Sequence, residues 1–187
     1  MYLIPLSLLS TAYIMNGETN SDAEFAYGAG HINPRAATDP GLIYDAREVE
    51  YVKFLFGQGY RTKQLRLVTG DNNSCSKDRQ STVWDLNYPS FTLSAQSGQS
   101  VTRVFHRTVT NVGKAKSTYH AIVEAPNWLK IQVRPEVLSF KSLGEKKSFV
   151  VTVTAKMGYS LLSGSLTWED SEYLHHVRSP IVAHFFS

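Results

Sequence analysis

Between Phe149 and Lys156 the chain alternates without a break. Phe149, Val151, Val153 and Ala155 fall on one side, and Val150, Thr152, Thr154 and Lys156 on the other. A period of two places successive side chains on opposite faces of an extended backbone, so this stretch is a half-buried β-strand. A strand cannot satisfy its own backbone donors and acceptors, so it demands partners elsewhere in the chain. Two are legible: Leu129, Ile131 and Val133 alternate with Lys130, Gln132 and Arg134, and Tyr119, Ala121 and Val123 form a third apolar set. Val101 to Val112 is also long and β-prone, but neither of its faces is cleanly apolar; a bulge that switches faces would account for that.

Turn residues separate these runs at Ser97-Gly98, Gly113-Lys114, Pro126-Asn127, Pro135-Glu136, Gly144-Glu145, Gly158 and Glu169 to Glu172. About seven short strands so spaced predict an immunoglobulin-like antiparallel β-sandwich over residues 85–187. It lacks the paired cysteines of antibody domains and is nearer the fibronectin type III variety. Trp128 and Trp168 are the expected core anchors, being large enough to dominate apolar burial.

The 187 residues suit one such domain plus an extension, and 42% hydrophobic content is enough for a core. Nineteen basic residues are dispersed among 16 acidic ones, with no basic run interleaved with aromatics, which argues against nucleic acid as a partner. No apolar run reaches the roughly 20 residues that span a bilayer, so no membrane anchor is expected. Met1 to Leu9 is apolar but lacks the basic start and small-residue cleavage site of a signal peptide. It fits the end of a buried helix.

Ahead of the sandwich, Phe25 to Asp45 combines Gly28, Gly30, Gly41, Pro34 and Pro40 with apolar Phe25, Tyr27, Ile32, Leu42, Ile43 and Tyr44. A solvated linker would be Ser- and Gly-rich with few aromatics, so this is an ordered connector built to lie against something. Gly28-Ala29-Gly30 is not a phosphate loop, because the required preceding strand and following helix are missing. Asp45, with Glu48 three residues on, predicts a helix N-cap. Val49, Val52, Leu55 and Phe56 then follow at helical spacing until Gly57 and Gly59. Thr62 is expected to cap a second short helix that carries Leu65 and Val68 and ends at Gly70. Short amphipathic helices draw most of their stability from a partner surface. With the surface that the connector and helices pack on lying outside this chain, Phe25, Tyr27, Ile32, Leu42 and Tyr44 are expected to be partly exposed.

Chemistry-bearing residues are sparse. Asp71 to Thr82 is a polar loop holding the sequon Asn72-Asn73-Ser74, which makes Asn72 a glycosylation candidate. Cys75 is the single cysteine, so no intrachain disulfide can form and a free thiol is expected. His175 and His176, adjacent in a strand, would point to opposite faces and are expected at the surface. His31, His106, His120 and His184 have no metal-ligand spacing around them. Glu169, Asp170 and Glu172 are expected to be solvated in a turn. No catalytic, cofactor-binding or metal residue is assigned.

Several strings together resemble one family. Phe25-x-Tyr-Gly-Ala-Gly-x-Ile-Asn-Pro, Pro40-Gly-Leu-Ile-Tyr-Asp45, Asp85-Leu-Asn-Tyr-Pro-Ser-Phe91, Arg107-Thr-Val-Thr-Asn-Val-Gly113 and Val177-Arg-Ser-Pro-Ile-Val182 are similar to segments of plant subtilisin-like serine proteases of the cucumisin type. The resemblance implies that residues 1–84 are the tail of an α/β subtilisin domain and residues 85–187 a fibronectin-III-like domain. It also implies that Cys75 has lost a partner, since Phe56 stands where the family carries a second cysteine. Ser171 replaces the family's usual glycine after Asp170, which leaves the type of that turn open.

The family's catalytic strings, Asp-Thr-Gly, His-Gly-Thr and Gly-Thr-Ser-Met, are absent, and Ser7 and Ser10 lack the Gly-rich turn of a nucleophile. They are expected upstream, the chain beginning inside a protease domain. The resemblance implies a non-catalytic part of a serine endopeptidase, with the protease domain as partner and an extracellular setting in the apoplast or cell wall. The alternative is a stand-alone module that binds a protein through a sandwich face or edge strand.

Overall fold

The computed structural model describes residues 4–15, 20–70, 83–96, 98–156, 160–172 and 174–186. Its helices are α1 (Ile4–Ser10), α2 (Glu24–Tyr27), α3 (Pro34–Thr38), α4 (Glu48–Gly57) and α5 (Thr62–Thr69). Its strands are β1 (Leu42–Tyr44), β2 (Phe91–Gln96), β3 (Val101–Asn111), β4 (Ser117–Glu124), β5 (Leu129–Arg134), β6 (Val137–Phe140), β7 (Lys146–Ala155), β8 (Leu161–Asp170) and β9 (His176–Phe186). They form two sheets, ordered β1-β3-β7-β5 and β2-β9-β8-β4-β6.

The alternating stretch 149–155 is the inner strand it was expected to be. β7 lies antiparallel between β3 and β5, and Phe149, Val151, Val153 and Ala155 are all buried. From the other sheet, Trp168 meets Phe149 edge to face at 5.1 Å, with no exposed surface. Two layers closing on one apolar interior make this a β-sandwich of the expected kind. One pairing departs from the antiparallel rule: β2 runs parallel to β9.

Three expectations about the strands are corrected. β3 has no bulge; its register with β7 is unbroken from Val101↔Ala155 to Thr110↔Lys146. Its apolar face is interrupted because Arg107 and Asn111 are both buried in line with Phe105 and Val109. The Arg107 guanidinium donates to the carbonyls of Trp84 (2.8 Å), His106 (2.9 Å), Tyr88 (3.1 Å) and Ser90 (3.3 Å) and lies 4.7 Å from the Phe91 ring centre. Burial pulls its pKa down to about 10, and the fork of donors offsets that cost by holding residues 84–90 against the sheet. Trp128 is not a core anchor: it precedes β5 in a turn and is 46% exposed. Val123, at the far end of β4, is likewise exposed.

The connector is also more deeply packed than expected. Leu42, Ile43 and Tyr44 are buried, and as β1 they pair with Asn111, Thr110 and Val109 of β3. The Tyr44 hydroxyl lies 2.8 Å from Ser179 Oγ of β9, spanning the two sheets. Phe25 and Ile32 remain exposed as anticipated.

The helix starts shift by one or two residues. Asp45 does not cap α4 but pairs with Lys146; the cap is Arg47, whose N–H donates to Glu50 at 2.7 Å. Arg61 caps α5 in the same way through Gln64, and Gly70 ends that helix in the left-handed region. Leu65 is buried, but α4 has no buried residue and Val68 is exposed.

Candidate functional site

The Gly41 turn sets the site's geometry. Gly41 has φ +74°, and a side chain there would meet the Tyr119 hydroxyl at 2.6 Å and His175 Cγ at 2.7 Å. Only glycine fits so close an approach. Its carbonyl accepts from the N–H groups of Val112 and Gly113 at 2.9 and 3.0 Å, so the bend is stitched to the end of β3. This brings Asp39, just ahead of the bend, over the turn that joins β8 to β9.

In that turn, Asp170 and His175 close the hairpin: the Asp170 N–H donates to the His175 carbonyl at 3.2 Å, and Asp170 Oδ1 accepts from the Leu174 N–H at 2.7 Å. His175 Nδ1 lies 2.7 Å from Asp170 Oδ2, and Nε2 lies 3.2 Å from Asp39 Oδ2. The ring lies between two carboxylates, with a side chain only 10% exposed. This corrects two expectations: His175 is not a surface histidine, and Asp170 is buried rather than solvated.

Burial pushes the Asp170 carboxyl up, but the hydrogen bonds from His175 and Leu174 outweigh it and hold the pKa below the usual range. Burial pulls His175 down, and its hydrogen bonds to Asp170 and Asp39, with their charges, raise it above the usual value. The Tyr119 phenol is pushed up to about 12 by burial and by the same two carboxylates, which keeps it neutral.

Beside this cluster runs an open groove of about 1340 Å³ between residues 11–14 and 33–40 and the outer face of the β4-β8-β9 sheet. Its floor carries Ile122, Thr167, Glu169 and Arg178, and His176 Nδ1 pairs with Glu169 at 3.0 Å. Farther along, Glu24 lies 3.8 Å from Arg178 and accepts from Ser163 Oγ at 2.5 Å. Burial lowers the Arg178 pKa, and its Nη1 donates to the Ala29 carbonyl at 3.2 Å. These contacts tie α2 to the sandwich.

The structure does not assemble a reaction centre from the remaining candidates. His106 pairs with Asp85 at the surface, and Ser171 Oγ lies 3.4 Å from His120 Nε2, long for a hydrogen bond. Ser7 Oγ donates to the Ala37 carbonyl at 3.1 Å and Ser10 Oγ to the Ser7 carbonyl at 3.4 Å, so both serve helix packing. Among the described residues no group of three or more His, Cys, Asp and Glu could hold a metal ion, and no helix is long and apolar enough to cross a membrane. Asn72 and Cys75 lie outside the described residues. Ser171 is not among the positive-φ residues, so this turn does not require a glycine at that position.

Sequence reasoning missed the Asp39–His175–Asp170 cluster. Two of its three residues had a local signal, since a β8–β9 hairpin brings residues 170 and 175 together. Asp39 had none.

Residues 85–183 match the family model described as a fibronectin type-III domain. Three subtilisin-like proteases of Arabidopsis thaliana are similar over nearly the whole chain. SBT4.6 and SBT4.3 are 45% and 44% identical over 97% of it, and SBT4.4 is 40% identical over 99%. The chain spans only 25–26% of the length of these relatives.

Proposed function

The chain belongs to the fibronectin type-III domain family and is a relative of the plant subtilisin-like proteases, and from that premise we propose that it serves as the non-catalytic C-terminal part of such a protease. Its sandwich supports a catalytic body that lies in the other three quarters of the relatives' length. In this reading residues 1–84 are the tail of the protease domain and residues 85–187 the sandwich domain, with β1 joining the two. The whole protein works outside the cell, in the apoplast or cell wall, where Asn72 would be open to glycosylation.

The observation that carries the reading is the apolar surface left exposed in the segment ahead of the sandwich. Tyr13, Ile14, Phe25, Ile32, Leu67 and Val68 are 58–79% exposed, and all lie within residues 13–68. Among the described residues the sandwich has two as exposed, Leu143 at 65% and Leu174 at 62%, so exposed apolar side chains are denser ahead of it, as an interaction surface requires. A catalytic body about three times the size of this chain accounts for it.

A chimaera tests this. Residues 1–187 should replace the aligned quarter of SBT4.6 and retain peptide hydrolysis, while deletion of that quarter should abolish it. Ile32→Glu with Leu67→Glu should lower the chimaera's activity and leave the melting temperature of the isolated chain unchanged. Full activity after deletion, or in the double variant, would overturn the reading.

A further inference from the structure

We propose that His175 is a proton-operated clasp: charged, it fastens the segment ending at Asp39 to the β8–β9 turn, and neutral, it lets that segment loosen. The proposal is independent of any catalytic partner.

A neutral imidazole has one N–H donor and one acceptor nitrogen, whereas the charged ring donates from both. Here both nitrogens face carboxylate oxygens, Asp170 Oδ2 at 2.7 Å and Asp39 Oδ2 at 3.2 Å. Only the charged ring can satisfy both. A neutral ring must point a lone pair at one of them.

The two carboxylates are not equivalent, which decides which link breaks. Asp170 is buried and already fixed by the Leu174 N–H, and it belongs to the same hairpin as His175. Asp39 has a side chain 73% exposed and belongs to the α3 segment, far away in sequence. The shorter, drier contact keeps the remaining proton, so deprotonation releases Asp39. Downstream of it, the Gly41 carbonyl and β1 stay bonded to β3. Upstream, α3 retains the bond from Ser7 Oγ to the Ala37 carbonyl. With its tie to the β8–β9 turn gone, Pro34 to Asp39 loosens about the remaining Ser7 bond, while the strand that follows stays in place.

The charged and titratable groups around His175 come from five places in the fold, the last being the turn after β6. Asp39 approaches from the end of α3, Asp170 from the end of β8 and Tyr119 from β4. Lys114, in the turn after β3, faces the cluster but is paired with Glu172 beyond β8. Lys116 and Lys141 line the same cavity, of about 560 Å³.

The sign follows from the direction of the shift. The folded-state pKa of His175 is raised despite burial. The clasp's contribution is therefore fully present below the unfolded value of about 6.5 and is lost as pH rises through the folded value.

The experiment follows His175 ring resonances by NMR in the purified chain. In parallel it measures hydrogen exchange of the amides of Ala36, Ala37 and Asp39, each of which is hydrogen-bonded in α3. His175 should titrate above about 6.5, and Asp39→Asn should lower its midpoint. After correction for intrinsic exchange, protection of the three amides should fall several-fold between pH about 5.5 and about 8.5, the range over which histidine changes charge. His175→Gln should remove that pH dependence. Asp39→Asn, at an exposed side chain, gives the same readout should the His175→Gln chain fail to fold. A His175 midpoint at or below about 6.5, or amide protection that does not change with pH, would overturn the clasp.

Discussion

Tyr44 joins the connector to both sheets, and its replacement tests whether that join contributes to cooperative stability. Its ring is buried 6.4 Å from Phe149, which in turn packs on Trp168, and its hydroxyl lies 2.8 Å from the fully buried Ser179 Oγ. Tyr44→Ala removes a buried aromatic ring, a change that costs about 3–5 kcal/mol. Tyr44→Phe keeps the ring and leaves Ser179 without this bond, a loss of about 1–3 kcal/mol. For a chain of this size a loss of about 2 kcal/mol lowers Tm by about 4–8 °C. Urea unfolding followed by tryptophan fluorescence should report both variants through the neighbouring Trp168. Phe25→Ala, at an exposed ring, is the control and should stay within about 0.5 kcal/mol of the parent. The reasoning is refuted if Tyr44→Ala also stays within that range, for β1 would then lie outside the cooperative unit.

The two tryptophans should differ sharply on thermal unfolding. Trp168→Ala should cost about 3–5 kcal/mol, whereas Trp128→Ala should cost less than about 1 kcal/mol; the reverse order would contradict their burial. Gly41→Ala should destabilise by more than about 1 kcal/mol, because strain at φ +74° adds to a clash with Tyr119 and His175. Gly59→Ala, at φ +93° with open space around it, incurs the strain alone and should melt at a higher temperature than Gly41→Ala. Cys75 should alkylate fully without reductant, since no second cysteine exists in the chain; mass spectrometry reads the result. The same sample should resist labelling by a fluorophosphonate, and a labelled serine would show that a nucleophile had been missed.

Local periodicity was enough for much of the fold. The alternation over 149–155 and 129–133 depends only on neighbours along the strand, so it announced two strands and their inner faces directly. The Gly- and Pro-rich strings carried the family resemblance for the same reason: each is a run of adjacent residues. Asp170 and His175 were nearly legible, because a hairpin turn brings them together within six positions.

What tertiary structure decided was which distant segments meet. Leu42, Ile43 and Tyr44 have no alternation to declare them a strand; they become one because β3 offers them an unpaired edge. Arg107 carries no sequence mark of burial, and it is tolerated inside only because the carbonyls of residues 84–90 fold back onto it. Trp128 and Trp168 look alike as residues and differ by whether a second sheet lies over them. Asp39 reaches His175 across 136 positions because Gly41 permits the backbone to approach. In each case the deciding term is a long-range contact that desolvates or satisfies a group, and no pattern among sequence neighbours encodes it.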